Sequence, residues 1–253
     1  MKSSPVSWLA ALLMLASAAF ASDPQRVLFI GNSYTAVNKL PEVFLEVVKS
    51  SGRSAPVVKS STPGGRTLRQ HLGIAGSLAL IDEGGWDVVV LQGQSQEPAI
   101  AEKDESVRKD FLESAAALCS RVRAKSPQVR IFFYETWARH ADYWSQPKKF
   151  PDVGADPKEM QARLRKWYVV VAKENGATVV PCGDAWGLNY ASYRPLRLHT
   201  MDHSHPEFAG TYLNALIFFG KIYDVKAPAP KWMGKLDETQ ARLMQGYAAQ
   251  VLK

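Results

Sequence analysis

The chain has 253 residues, of which 46% are hydrophobic and 22% are charged. This composition excludes a wholly disordered, collagen-like or coiled-coil protein, and the length is sufficient for one sizeable hydrophobic core. The sequence contains 31 lysines and arginines and 24 acidic residues, which give a net charge of +7. Because the basic residues are scattered rather than gathered in a stripe or a tail, we expect no binding to nucleic acid.

The N-terminal segment has the features of a secretory signal. Residues 8–20 are apolar, but these 13 residues are fewer than the ~20 that a membrane-spanning helix needs, so we expect no stable membrane insertion. A lysine precedes them, and Ala19 and Ala21 provide the small side chains that a signal peptidase recognises. We therefore predict that residues 1–21 are a cleaved signal peptide, that residues 22–253 form a single domain, and that the protein is secreted or periplasmic.

Five short runs of β-branched and aromatic side chains predict strands, and longer amphipathic segments predict helices. The predicted strands are residues 26–30, 55–59, 87–91, 129–134 and 178–181. The predicted helices are residues 40–51, 67–83, 106–125, 158–175, 208–223 and 237–252. The first, third and fourth strands are apolar throughout, which indicates that helices cover both faces of the sheet. We predict a three-layer α/β/α sandwich around a central, mostly parallel five-stranded sheet of the flavodoxin-like type.

Residues 138–157 interrupt this alternation with three prolines and no clear periodicity. Long irregular insertions in compact domains are often lids or binding loops. The chain also has two cysteines, Cys119 and Cys182, which could form a disulfide in an oxidising compartment. Their apolar surroundings favour two buried free thiols instead.

Ser33 follows the first predicted strand in the sequence Gly31-Asn32-Ser33, where a nucleophile can lie exposed at the start of a helix. A serine hydroxyl needs a neutral imidazole to take its proton, and the imidazole needs a carboxylate to fix its tautomer. Asp202 and His205 could provide both groups from one short loop near the C-terminus. The alternative is that Ser33 only caps the following helix.

The order and placement of these residues resemble those of the SGNH (GDSL-type) hydrolases. The similar features are Gly31-Asn32-Ser33, then Gly64-Gly65-Arg66-Thr67 after the second strand, a polar cluster after the third, and Asp202-x-x-His205-Pro206, across roughly residues 26–222. The resemblance implies a serine esterase without a cofactor, in which Ser33 is the nucleophile and Asp202 and His205 complete the triad. It also implies an oxyanion hole formed by the backbone N–H groups of Ser33 and Gly65 and by one side-chain amide.

The third block departs from the family's pattern. That block is normally Gly-x-Asn-Asp, whereas this chain has Gln92-Gly93-Gln94-Ser95-Gln96 and no asparagine. A glutamine offers the same N–H donor on one more methylene, so we favour Gln94 as the third oxyanion donor, with Gln92 and Ser95 as alternatives. Asn32 also stands where the family usually has aspartate, a position whose side chain we expect to do no chemistry.

The sequence also allows two other functions. His199, Asp202, His203 and His205 are four potential metal ligands within seven residues and could bind zinc. The missing asparagine also allows a non-catalytic carbohydrate-binding protein built on a decayed hydrolase site. We favour the serine mechanism, with no metal.

The expected substrate is a small-molecule or polysaccharide ester. The insertion is polar, unlike the apolar lid expected of a lipase, and its Tyr143 and Trp144 could stack on sugar rings. We therefore expect short acyl groups, such as O-acetyl on a carbohydrate, with a general lipase or esterase as the alternative.

Overall fold

The computed structural model describes residues 23–145 and 151–253. Its centre is a five-stranded sheet in the order β2-β1-β3-β4-β5, in which every neighbouring pair of strands is parallel. The strands are β1 Arg26–Ile30, β2 Val57–Ser61, β3 Val88–Leu91, β4 Arg130–Glu135 and β5 Thr178–Pro181. The predicted signal peptide lies outside the described residues, so its cleavage and the domain boundary at residue 22 stay predictions.

Ten α-helices occur in the part of the chain that the structure describes. They are α1 Ser33–Ala36, α2 Leu40–Ser50, α3 Leu68–His71, α4 Ala75–Asp82, α5 Glu97–Ile100, α6 Glu105–Lys125, α7 Pro157–Glu174, α8 Cys182–Tyr190, α9 Phe208–Tyr223 and α10 Glu238–Val251. Among the described residues, no helix combines the length and apolar character that crossing a bilayer would need.

Helices cover both faces of the sheet, as predicted. Val27 and Phe29 of β1 face a core shared with α2, α8, α9 and α10. Leu28 and Ile30 face a second core shared with α4, α6 and α7. This alternation follows from the two-residue period of a strand, and each fully buried side chain of this size contributes roughly 1.5–3 kcal/mol to folding.

The elements differ from prediction in several places. The second strand begins at Val57, two residues late, and extends to Ser61. The predicted helix 67–83 is two helices, because the chain turns at Gly73 and Ile74 is extended. Helices α1, α5 and α8 were not predicted: α1 and α5 have only four residues each, and the two glycines of α8 weaken its helical pattern.

The two cysteines are free and buried, which confirms the favoured prediction. Cys182 lies in the core that includes α9, and Cys119 lies in the core that includes α6, on the opposite face of the sheet. Burial raises the pKa of the Cys119 thiol to about 12, so it is not a ready nucleophile.

Candidate active site

The predicted triad residues are brought together at the carboxyl end of the sheet. Ser33 is the first residue of α1, directly after β1, and Asp202 and His205 lie in the loop that leads into α9. The Nε2 atom of His205 is 2.8 Å from the Ser33 hydroxyl oxygen, and its Nδ1 atom is 2.5 Å from Asp202 Oδ2. A continuous hydrogen-bonded path therefore connects the hydroxyl, the imidazole and the carboxylate.

Asp202 is held as an anion by its own loop. Its Oδ1 accepts hydrogen bonds from the Thr200 hydroxyl at 2.6 Å and from the backbone N–H groups of Ser204 and His205, each at 2.9 Å. Burial opposes ionisation of Asp202, but these hydrogen bonds and the one from the imidazole outweigh it and hold the pKa of the carboxyl well below its usual range. The carboxylate is thus fixed and charged where the imidazole needs it.

The loop is anchored on both sides. His199 and Pro206 form an antiparallel bridge at its base. Trp137, after β4, donates its indole N–H to the Ser204 carbonyl at 3.0 Å. The Tyr34 ring meets the His205 imidazole edge to face, with 5.4 Å between ring centroids. These contacts limit the positions that the imidazole can take.

The turn around Ser33 depends on a glycine. A Cβ atom at Gly31 would lie 2.5 Å from Thr35 Oγ1 and 2.8 Å from Gln92 Oε1, so no larger residue fits without movement. Asn32 caps α1 by accepting the Tyr34 N–H at 3.1 Å. The capping role that we considered for Ser33 therefore belongs to Asn32.

Asn32 also links three loops. Its side-chain amide donates to the Arg66 carbonyl at 3.0 Å, after β2, and to the Gly93 carbonyl at 3.2 Å, after β3. It is 2% exposed, so these bonds form in a nearly dry environment. We expected the Asn32 side chain to do no chemistry, and this expectation did not include its structural role. Asn32 holds the two predicted oxyanion loops beside Ser33.

Two backbone donors are available for an oxyanion. Within residues 23–145 and 151–253, neither the Ser33 N–H nor the Gly65 N–H has an intramolecular acceptor. Gly65 has φ +69°, a left-handed conformation that favours glycine. Both N–H groups belong to the loops that Asn32 joins.

The three candidates for the side-chain donor differ in what they already bind. Gln92 already makes three hydrogen bonds: its oxygen accepts from the Asn32 N–H and the Thr35 hydroxyl, both at 3.0 Å, and its amide nitrogen donates to Gly93. Gln94 uses its oxygen to accept the N–H groups of Gln96 and Glu97 at the start of α5, and its amide N–H groups have no partner among the described residues. Gln94 therefore offers two amide donors where Gln92 offers one, and all three candidates stay predictions.

Ser95 remains a candidate because of an arginine that sequence reasoning missed. Arg139 donates to the Ser95 hydroxyl oxygen at 3.0 Å and also to the Tyr34 hydroxyl, which leaves the Ser95 proton free to donate. Arg139 is 8% exposed, and no described carboxylate lies within ion-pairing distance of it. Burial lowers the pKa of its guanidinium to about 10. Its position just beyond β4 was the one signal that could have identified it.

The four-ligand zinc site considered for the C-terminal loop does not form. Asp202 and His205 face Ser33, whereas His199 is buried and bonded through Nδ1 to the Tyr190 hydroxyl at 2.7 Å and through Nε2 to the Ala138 carbonyl at 3.0 Å. Burial lowers the pKa of His199 to about 3, so this imidazole stays neutral. His203 points elsewhere, toward the insertion.

The described part of the insertion packs beside the site. Tyr143 accepts a hydrogen bond from Gln96 at 3.1 Å, next to the third block. Trp144 donates to the Gly154 carbonyl at 2.8 Å and packs on a small core with Met160, so its indole has a structural part. Residues 146–150 lie outside the described residues.

An aromatic stack separates the triad from a neighbouring cavity. Tyr34 stacks on Trp137 with 4.4 Å between centroids, and Trp137 stacks on Trp186 at 3.9 Å. The cavity has a volume of about 700 Å³, and Trp186 and Tyr190 form part of its wall, with Arg165 at its edge. Ser33, Asp202 and His205 are not among the described residues that line it.

No protein-family model matches the sequence, and no curated protein matches it. Solved structures do. A DUF4886 family protein from Bacteroides uniformis superposes with a TM-score of 0.75 at 17% identity, over 89% of this chain and 93% of its own. A candidate SGNH hydrolase from Slackia heliotrinireducens gives a TM-score of 0.62 at 25% identity, over 78% and 97% of the two chains.

A third similar structure is a catalytic mutant of Axe2, an acetylxylan esterase from Geobacillus stearothermophilus. It gives a TM-score of 0.60 at 13% identity, over 80% of this chain and 96% of its own. The chain has the SGNH hydrolase fold. The resemblance noted in the sequence is thus confirmed at the level of the fold.

Proposed function

We propose that the protein is a serine hydrolase that cleaves carboxylic esters. The observation that supports this most strongly is the relay of Ser33, His205 and Asp202, whose two connections measure 2.8 Å and 2.5 Å. Free backbone N–H groups at Ser33 and Gly65 are available for the developing negative charge. If Ser33 only capped a helix, its hydroxyl would not need an oriented imidazole within hydrogen-bonding distance.

In the proposed reaction, the Ser33 oxygen attacks the ester carbonyl while His205 Nε2 takes the hydroxyl proton. The carbonyl oxygen becomes an oxyanion, which accepts hydrogen bonds from Ser33 N–H, Gly65 N–H and a side-chain donor, Gln94 or Ser95. His205 then gives its proton to the departing alcohol, which leaves an acyl ester on Ser33. Water, deprotonated by His205, hydrolyses that ester and regenerates the free hydroxyl.

We propose a short acyl group on a carbohydrate as the substrate. The insertion beside the site presents polar groups, with Tyr143 bonded to Gln96, rather than a hydrophobic lid. An acetylxylan esterase is among the proteins of similar structure. Export, proposed from the N-terminal sequence, would give access to such polymers.

The serine mechanism is tested by Ser33→Ala with p-nitrophenyl acetate as substrate. We expect the variant to lose turnover and to escape labelling by a serine-directed phosphonate, because both need the hydroxyl. Ser106→Ala is a matched control, since Ser106 is exposed on α6. Full activity in Ser33→Ala, together with loss of activity in EDTA, would instead support a metal hydrolase. Glycan binding without hydrolysis by the unmodified protein would support the carbohydrate-binding alternative.

A further inference from the structure

Three side chains that the proposed mechanism does not use converge where the insertion meets the catalytic loop. His140 and Asp142 belong to the insertion, and His203 lies between Asp202 and His205 but points away from Ser33. Each offers one ligand atom, and these three atoms lie within 4.8 Å of one another. We propose that His140, Asp142 and His203 form a binding site for a divalent transition-metal ion such as Zn²⁺.

The distances fit a site of this kind. Asp142 Oδ2 is 3.1 Å from His140 Nδ1 and 3.7 Å from His203 Nδ1. Tetrahedral zinc with bonds of ~2.0–2.1 Å places its ligand atoms ~3.3 Å apart. The side chain of Asp142 is 56% exposed, so it can make the small adjustment that closing around an ion requires. Two imidazoles and one carboxylate are ordinary zinc ligands, and they leave a fourth position open.

The hydrogen bonding of His203 is incomplete without a cation. His203 Nδ1 is buried and has no hydrogen-bond partner among the described residues. His140 Nδ1 accepts the backbone N–H of Asp142 at 3.3 Å, while the Asp142 carboxylate faces the same nitrogen. His140 Nδ1 and the Asp142 carboxylate oxygen are both electron-rich. A bound cation would interact favourably with both atoms and with the buried Nδ1 of His203.

The backbone arranges the site in advance. The His140 N–H donates to the His203 carbonyl at 3.0 Å, and the two imidazole rings stack with 5.8 Å between centroids. His203 has φ +62°, a left-handed conformation that turns its side chain out of the path between Asp202 and His205. The nearby His199 is excluded as a ligand, since both of its nitrogen atoms are already bonded.

The ion would fasten the insertion to the loop that positions the catalytic imidazole. No proposed catalytic step passes through it, because the relay to Ser33 uses Asp202 and His205 alone. The site therefore goes beyond the proposed function, and either can fail without the other.

The experiment titrates the full chain, purified without a histidine tag and stripped of metal, with Zn²⁺ alone by isothermal titration calorimetry. Co²⁺ is titrated in parallel and followed by visible absorption, which reports tetrahedral ligation. We expect one ion per chain and a higher melting temperature with Zn²⁺. Asp142→Asn and His140→Ala should each weaken binding more than about tenfold, since losing even an outer partner of a metal ligand costs ~10–100-fold.

Asp224→Asn is the matched control. Asp224 is 85% exposed, caps the end of α9 in a left-handed conformation that asparagine also adopts, and should leave Zn²⁺ binding unchanged. Absence of binding by the unmodified protein would overturn the proposal. Equal binding by Asp142→Asn and His140→Ala would overturn it as well, because the ion would then be held elsewhere.

Discussion

At the scale of single residues, the orientation of His205 depends on Asp202. The carboxylate accepts from the imidazole Nδ1–H, which leaves Nε2 as the proton acceptor for Ser33. In Asp202→Asn an amide N–H would face Nδ1 and favour the tautomer whose Nε2 is already protonated. We expect turnover of p-nitrophenyl acetate to fall by ~10²–10⁴-fold with an unchanged circular dichroism spectrum. Turnover near that of the Asp224→Asn control would mean that another carboxylate orients the imidazole.

A second residue-scale prediction separates Gln94 from Ser95 as the side-chain oxyanion donor. Gln94→Glu keeps the side-chain oxygen that accepts the Gln96 and Glu97 N–H groups but removes the amide donor. If Gln94 binds the oxyanion, this variant should lose ~10²–10³-fold in kcat with little change in KM, and Ser95→Ala should retain activity. The opposite pattern in steady-state kinetics would assign the role to Ser95.

The sequence predicted that Ser33, Asp202 and His205 lie close together, because the three residues occupy recognisable places in the chain. Ser33 directly follows a strand, and Asp202 and His205 are three residues apart on one loop. The parts played by Asn32 and Arg139 could not be predicted in the same way. Each bonds to residues at least 34 positions away along the chain, so its role exists only after the loops have packed together.

At the scale of elements, helix α5 begins with a buried carboxyl group. Glu97 is 5% exposed, and burial raises its pKa to about 7 from an ordinary value of 4.5. Between these two pH values the unfolded chain has already lost the proton that the folded chain retains. The free energy of unfolding therefore decreases as pH rises through this window, and the loss is complete above about pH 7.

The substitution Glu97→Gln should remove the decrease in the free energy of unfolding that accompanies ionisation of Glu97. Glutamine cannot ionise, and its oxygen can still accept the Gln94 N–H. We expect the variant to be more stable than the unmodified protein by about 1–3 kcal/mol at pH 8 and nearly equal to it at pH 4.5, measured by urea denaturation. Glu135, whose pKa burial raises to about 8, affects both proteins alike and cancels in the difference. An equal gain at both pH values would show that ionisation of Glu97 is not the cause.

The helices and strands with the clearest local sequence pattern were predicted most accurately. The four strands other than β2 were placed within one residue, and β1, β3 and β4 consist mainly of buried apolar side chains. Strand β2 lies at an edge and is largely exposed, so its Val57-Val58-Lys59-Ser60-Ser61 sequence gives a weaker pattern. The local pattern also could not locate the break at Gly73, where packing of α3 and α4 against α6 decides the direction of the chain.

At the scale of the whole molecule, activity should depend on pH through the imidazole rather than the carboxylate. The pKa of Asp202 lies well below its usual range, so this group stays ionised throughout the mildly acidic region. Protonation of the imidazole removes the base that takes the Ser33 proton. We expect kcat/KM for p-nitrophenyl acetate to rise with pH and level off near neutrality or slightly above. Maximal activity at pH 4 would contradict a neutral imidazole base.

The substrate also depends on the whole molecule, because the insertion, the aromatic stack and the catalytic loop meet around Ser33. The polar surroundings of Tyr143 favour a hydroxyl-rich alcohol and a short acyl group over a long acyl chain. Acetate release from acetylated xylan, pectin and peptidoglycan should therefore be measured beside hydrolysis of p-nitrophenyl acetate and octanoate, with Ser33→Ala as the blank. We expect acetate to be preferred over octanoate and at least one polymer to be deacetylated. Preference for octanoate, with no acetate released from any polymer, would replace the carbohydrate esterase with a general esterase or lipase that uses the same triad.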